Sequence, residues 1–109
     1  MIRAFIVFVA LAAPAFAQDP AASAHGEQVF AAQKCSICHA IAKKGNKNGS
    51  LDDVGSRLSA DDIRQWVTNA PVMAAKVNAQ RKPAMRAFIN MASSDLDDLV
   101  AYLQTLKKK

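Results

Sequence analysis

A chain of 109 residues has room for one domain and little more. Its 14 Lys and Arg exceed its 9 Asp and Glu, for a formal charge of +5. That excess is too small and too scattered to argue for nucleic-acid binding, and suits docking to acidic proteins or an anionic surface. Only two cysteines are present.

The first stretch stands apart from the rest. Met1-Ile2-Arg3 supplies a positive end, residues 4–13 are unbroken apolar, and Pro14 precedes Ala15-Phe16-Ala17, a small-x-small cleavage site. This is the three-part build of a secretory signal peptide. The apolar run falls well short of the about 20 residues that span a bilayer. An uncleaved anchor is the competing reading, but the polar break at Gln18-Asp19-Pro20 suits cleavage. We therefore expect residues 1–17 to be a signal peptide and residues 18–109 to be the exported domain. No later segment promises stable membrane insertion. A domain this small needs a staple or a cofactor to complete its core.

From residue 18 onward the pattern is helical. Ser23 is placed to cap a first helix that carries Gly26, Val29 and Phe30 on one face. Residues 43–55 are polar and contain glycine, and read as a surface loop. Ser59, with Asp62 three residues on, opens a second helix with Ile63, Trp66 and Val67 as its apolar stripe. Pro71 marks the junction to a further helix over residues 72–80, which Lys82-Pro83 ends, because proline disfavours helix in the residue before it. Ser93 or Ser94 caps the last helix. Asp95, Asp97 and Asp98 sit early in it, and Lys107-Lys108-Lys109 close it, an order that complements the helix dipole. Leu96, Leu99, Val100, Leu103 and Leu106 recur at three- and four-residue steps and make one apolar face. No segment alternates with a period of two, so the domain is predicted to be all-α.

Both cysteines fall in Cys35-Ser36-Ile37-Cys38-His39, the attachment signature of haem c. Two thiols three positions apart on a helical turn can add to the two vinyl groups of one haem, which places the adjacent imidazole of His39 beneath the iron. Haem c is attached outside the cytoplasm, so leader and motif support each other. The rival readings are weaker. A thioredoxin-type pair belongs in a strand-helix-strand setting, and no strands are predicted. A structural zinc site needs four ligands, and the remaining histidine, His25, lies on another predicted helix, where it reads as an exposed residue near a frayed end. A disulfide closing so short a loop gains little.

An electron-transfer haem also needs a ligand on its far side. Met85 is the leading candidate, because it lies in a loop-like stretch between two helices that can reach over a haem face. Met73, on a predicted helix, reads as core. Met91, just before the last helix, is the alternative ligand.

These elements together resemble the class I, cytochrome c-like monohaem proteins of bacterial periplasms, over residues 26–106. The resemblance implies that Gly26 lets the first helix cross the last one closely, against Tyr102. It implies that residues 50–58 form the loop on the proximal side and that Asn69-Ala70-Pro71 is the family's Asn-x-Pro helix ending. Lys82-Pro83-Ala84-Met85 resembles the segment carrying the methionine ligand. Two departures stand out. The family's proline before the loop leucine is replaced here by Asn48-Gly49-Ser50, leaving a carbonyl near Gly49 to take the hydrogen bond of the proximal imidazole. Arg86 follows Met85 where the family often has proline.

The implied function is that of a periplasmic electron carrier, not an enzyme, which cycles one covalently bound haem c between ferrous and ferric states. Cys35 and Cys38 would be its thioether anchors, His39 its proximal ligand and Met85 its distal ligand. Imidazole and thioether ligation raise the potential, and a pocket of Phe30, Leu58, Trp66, Phe88, Leu99 and Leu103 would exclude water. Trp66 reads as a core aromatic, with donation to a haem propionate as the alternative. Partners are expected to be redox proteins with acidic docking surfaces, met by Lys34, Lys43, Lys44, Lys47, Lys82 and Arg86, with the protein acting as a monomer. The rival is an open distal site serving a gas sensor or a small peroxidase-like enzyme, with Arg81 and Arg86 near the right segment. A haem subunit of a dehydrogenase or oxidase complex would change only the partner.

Overall fold

The computed structural model describes residues 19–109, and the expected signal peptide lies outside the described residues. Helix α1 spans Pro20–Ala32. It starts a turn earlier than Ser23 suggests: Asp19 caps it, its side chain accepting from the Ala21 amide at 3.0 Å, and Pro20 takes the first helical position. Proline costs nothing there, because that N–H would be unpaired in any case. Ser23 lies inside the helix, its amide bonded to the Asp19 carbonyl.

A 3-10 turn over Cys35–Ile37 follows, entered through Lys34 in the left-handed region at φ 58°. The expected surface loop is more ordered than its composition implies. Strands β1 (Ala40–Ile41) and β2 (Lys44–Gly45) form a two-residue antiparallel hairpin. Its tip residues Ala42 and Lys43 both have positive φ, the conformation that matches hairpin twist. The Ala42 amide donates to Asp52 at 2.7 Å, which holds the tip. A second 3-10 turn covers Lys47–Gly49, and α2 is a single turn, Val54–Arg57. The domain is mostly helical, as predicted, with this small hairpin added.

Helix α3 spans Ala60–Thr68 and opens as expected, Ser59 Oγ accepting from the Asp62 amide at 3.1 Å. Ile63 and Val67 are buried, and Trp66 is half-buried. Helix α4, Ala70–Lys76, is shorter than the predicted 72–80. Asn78 turns left-handed at φ 52°, and residues 77–84 are exposed, so no apolar face rewards further helix. Helix α5 spans Ser93–Gln104. Ala92 holds its cap position, with no side-chain cap from Ser93 or Ser94. At its far end Lys107 leaves the helix axis, and its Nζ donates to the Gly55 carbonyl at 2.6 Å, while the Gly55 amide donates to Leu106 at 2.8 Å.

The core is built where α1 crosses α5 and α3 packs beside them. It consists of Val29, Phe30, Val54, Ile63, Val67, Leu99, Val100 and Leu103. At the crossing, a Cβ on Gly26 would run into the Asp98 carbonyl and approach Tyr102 Cβ to 2.6 Å, so only glycine permits this approach. Phe30 and Tyr102 meet edge-to-face beside it, ring centroids 6.3 Å apart, the geometry aromatic quadrupoles favour. His25 is a tie between these helices, not a frayed-end residue: its Nδ1 lies 2.7 Å from Asp98 Oδ2. The core is small. Leu99, at 1% exposure, is the one large side chain that is completely buried among the described residues.

Candidate functional site

The left-handed Lys34 ends the run of α1 and turns the chain so that Cys35, Cys38 and His39 fall within one tight turn. The Cys35 carbonyl accepts from both the Cys38 amide (3.1 Å) and the His39 amide (2.9 Å). This fixes the three residues relative to one another by backbone alone. Both cysteines are half-buried, and they form no disulfide with each other. Burial pushes the Cys35 thiol up to about 11, against smaller opposing effects of a backbone hydrogen bond and the Arg86 charge. Burial thus disfavours at Cys35 the thiolate on which a redox-active Cys-x-x-Cys pair depends.

His39 is oriented by the loop that follows. Its Nδ1 lies 3.0 Å from the Gly49 carbonyl and donates to it, as the replaced proline led us to expect. Among the described residues Nε2 makes no hydrogen bond, so with Nδ1 carrying the proton the Nε2 lone pair is free. Burial pushes the imidazole below its usual range, the Gly49 bond opposes this, and the Arg81 charge adds to it. A neutral imidazole with one nitrogen committed to a carbonyl and the other free is the arrangement of a metal-ligating histidine.

Two residues that sequence reasoning missed hold this loop. The Asn46 amide donates to Ser36 O at 3.0 Å, its Nδ2 to Ile37 O at 3.2 Å, and its Oδ1 accepts from the Asn48 amide. Arg81 Nη2 donates to the Cys38 carbonyl at 2.6 Å, across 43 residues. Asn46 carries a faint signal, an asparagine where a turn begins. Arg81 stands out only for lying near the distal segment, and nothing local marks its contact with Cys38.

Met85 lies half-buried in the irregular stretch after α4, which is tethered at both ends: by Arg81 to the attachment turn, and by the Phe88 amide to the Val67 carbonyl of α3 at 2.8 Å. The Arg86 guanidinium stacks on Phe88, 4.7 Å from the ring centroid. Met91 is half-buried against the core, and Met73 is half-buried on α4. Of the expected pocket residues, Phe30, Leu99 and Leu103 are core, while Leu58, Trp66 and Phe88 are only half-buried. Cys35, Ile41, Leu51, Leu58, Phe88 and Met91 are partly buried and pack against the core.

This donor set fits a haem. The attachment turn offers two thiols and an imidazole, the irregular stretch offers a thioether, and partly buried apolar side chains from both regions, Cys35, Phe88 and Met91 among them, pack against the core. Fold and site thus define a small helical domain built for one covalently held haem. Residues 23–107 match the family model described as cytochrome c. The chain belongs to the cytochrome c family, as a class I monohaem c-type cytochrome with one haem c. It is similar to a protein named cytochrome c6 from Cyanidioschyzon merolae, 31% identical over 86 residues that cover 79% of this chain and 76% of the relative. No solved structure matches it at comparable significance.

Proposed function

We propose that this chain is a periplasmic electron carrier, exported by removal of residues 1–17 and working as the domain 18–109. Cys35 and Cys38 hold the haem as thioethers, His39 is the proximal iron ligand and Met85 the distal one. The haem supplies the reversible one-electron change between ferrous and ferric iron. The protein's residues set its ease. The Gly49 carbonyl holds the His39 ring in one orientation and one tautomer, so little reorganises when the charge changes. The partly buried Leu51, Leu58 and Phe88 help to keep water away, and the Met85 thioether favours the ferrous state.

The observation that carries this reading is the His39 Nδ1 hydrogen bond to Gly49, with Cys35 and Cys38 held in the same turn as that histidine. A sensor or peroxidase-like role gains no support by comparison. The two arginines that could serve peroxide chemistry are engaged elsewhere, Arg81 with the Cys38 carbonyl and Arg86 with Phe88. Optical spectra of the ferric and ferrous protein, with and without carbon monoxide, decide between the readings. A carrier stays six-coordinate and ignores carbon monoxide, and a prompt carbon monoxide complex would overturn it.

Replacing Cys35 and Cys38 with alanine is expected to leave all haem extractable under denaturing conditions, against none for the native protein. Expression without residues 1–17 should yield a largely unfolded apoprotein, because the core is too small to hold alone. A well-folded, colourless product would contradict this.

The partner surface is expected to lie around the attachment turn and the methionine segment. Ile37 (67% exposed) and Ile89 (78%) stand out from those two segments, and Lys34, Lys43, Lys44, Lys47, Lys82 and Arg86 are exposed in or beside them. Such a rim would steer an acidic redox protein. Association should slow as the Debye length falls from about 30 Å at 0.01 M salt to about 10 Å at 0.1 M. Charge reversal at Lys82 and Lys44 should slow electron transfer roughly tenfold at low salt, and reversal at Lys108 should matter less. Stopped-flow rates insensitive to salt and to Lys82 would assign the charge to solubility alone.

A further inference from the structure

Arg81 is exposed, yet its guanidinium is committed. Among the described residues it pairs with no carboxylate, unlike Arg57 and Arg64, which pair with Asp53 and Asp97. Its Nη2 instead donates to the Cys38 carbonyl at 2.6 Å. Its Nη1 fills the space beside Gly49, where a Cβ would collide with both that nitrogen and the Cys38 carbonyl. One planar group therefore touches the turn carrying both cysteines and the loop whose carbonyl orients His39. It does so from the stretch that carries Met85, four residues further on.

We propose that Arg81 is a positioning residue that staples the methionine-bearing stretch to the proximal loop, so that the two axial ligands are held by one connection. The inference rests on the ligand assignment above. The fork shape matters. A guanidinium can lie flat against Gly49 while one of its nitrogens reaches Cys38, whereas a lysine ammonium is a point donor on a flexible stem. The glycine at 49 is then required by the arginine as much as by the loop. Packed beside Gly49, the guanidinium is expected to slow the approach of water to the carbonyl that accepts the His39 Nδ1 hydrogen bond.

Two measurements on the holoprotein test this. The first is solvent exchange of the His39 Nδ1 proton in the ferrous form, followed by NMR. Arg81→Ala should speed it roughly tenfold, and Arg81→Lys should restore little. The second is binding of imidazole to the ferric form, which must displace the distal ligand. Arg81→Ala should tighten it roughly tenfold, a change of about 1.4 kcal/mol, while Arg64→Ala, which breaks an ion pair between α3 and α5, should leave both readings as in the native protein. If Arg81→Ala changes neither, or lowers only the unfolding midpoint seen by Trp66 fluorescence, the staple is wrong. Met85→Ala run in parallel separates the two ideas. If it fails to alter imidazole binding, the ligand assignment falls, while proton exchange still reports on the contact between Arg81 and the proximal loop.

Discussion

Met85→Ala is expected to open the iron to carbon monoxide and to lower the reduction potential by more than about 59 mV, the equivalent of a tenfold loss in preference for the ferrous form. A thioether stabilises ferrous iron, and alanine offers nothing in its place. Met73→Leu and Met91→Leu should leave the spectrum nearly unchanged. The packing supports that contrast. Met91 lies against the core with Phe88 and Leu96 and is replaceable by an apolar side chain of similar volume. Met85 is half-buried but not among the side chains packed on that core. The sulfur-to-iron charge-transfer band of the ferric protein is the readout. Its loss in Met91→Leu alone would move the ligand assignment to Met91.

Gly26→Val should be the most damaging single change away from the haem. The first added carbon already meets the Asp98 carbonyl and Tyr102 Cβ, and a main-chain atom of a helix cannot swing aside as a long side chain can. To accommodate it, α5 must withdraw from α1. That loosens Val29 and Phe30 against Leu99 and Leu103, and pulls Asp98 from His25. Overpacking of this kind costs about 3 kcal/mol, which for a domain of this size lowers the unfolding temperature by roughly 12–24 °C. His25→Ala removes only a half-exposed tie across the same crossing and should cost about 1 kcal/mol or less. Thermal unfolding of the two ferric holoproteins, followed by circular dichroism, gives the comparison. A Gly26→Val protein that melts within a few degrees of the native one would show that the crossing tolerates a wider spacing.

Chemistry in this protein is written locally. The motif of Cys35, Cys38 and His39 was legible because its geometry depends on neighbours in one turn, and the structure holds the three together with two backbone hydrogen bonds to the Cys35 carbonyl. The apolar faces of α1, α3 and α5 were legible for the same reason, since Val29, Ile63, Val67, Leu99 and Leu103 repeat at the helical period and are buried as that period predicts. Ser59 as a cap needed only its own first turn. Expectations failed where distant groups decide. Helix α4 stops at Lys76 because no partner face extends beside residues 77–84. The hairpin of Ala40 to Gly45 carries no alternation, and is held by Asp52 at its tip and by Asn46 at its open end. His25 reads as solvent-facing until α5 brings Asp98 to it. The Gly49 carbonyl that accepts the His39 Nδ1 hydrogen bond was expected only by resemblance. Arg81, which reaches Cys38 across 43 residues, has no sequence signature. Periodicity and motif spacing report what a residue does to neighbours within a turn or two. Hydrogen bonds between segments are set by where the packed helices return the chain, and only the tertiary structure determines that.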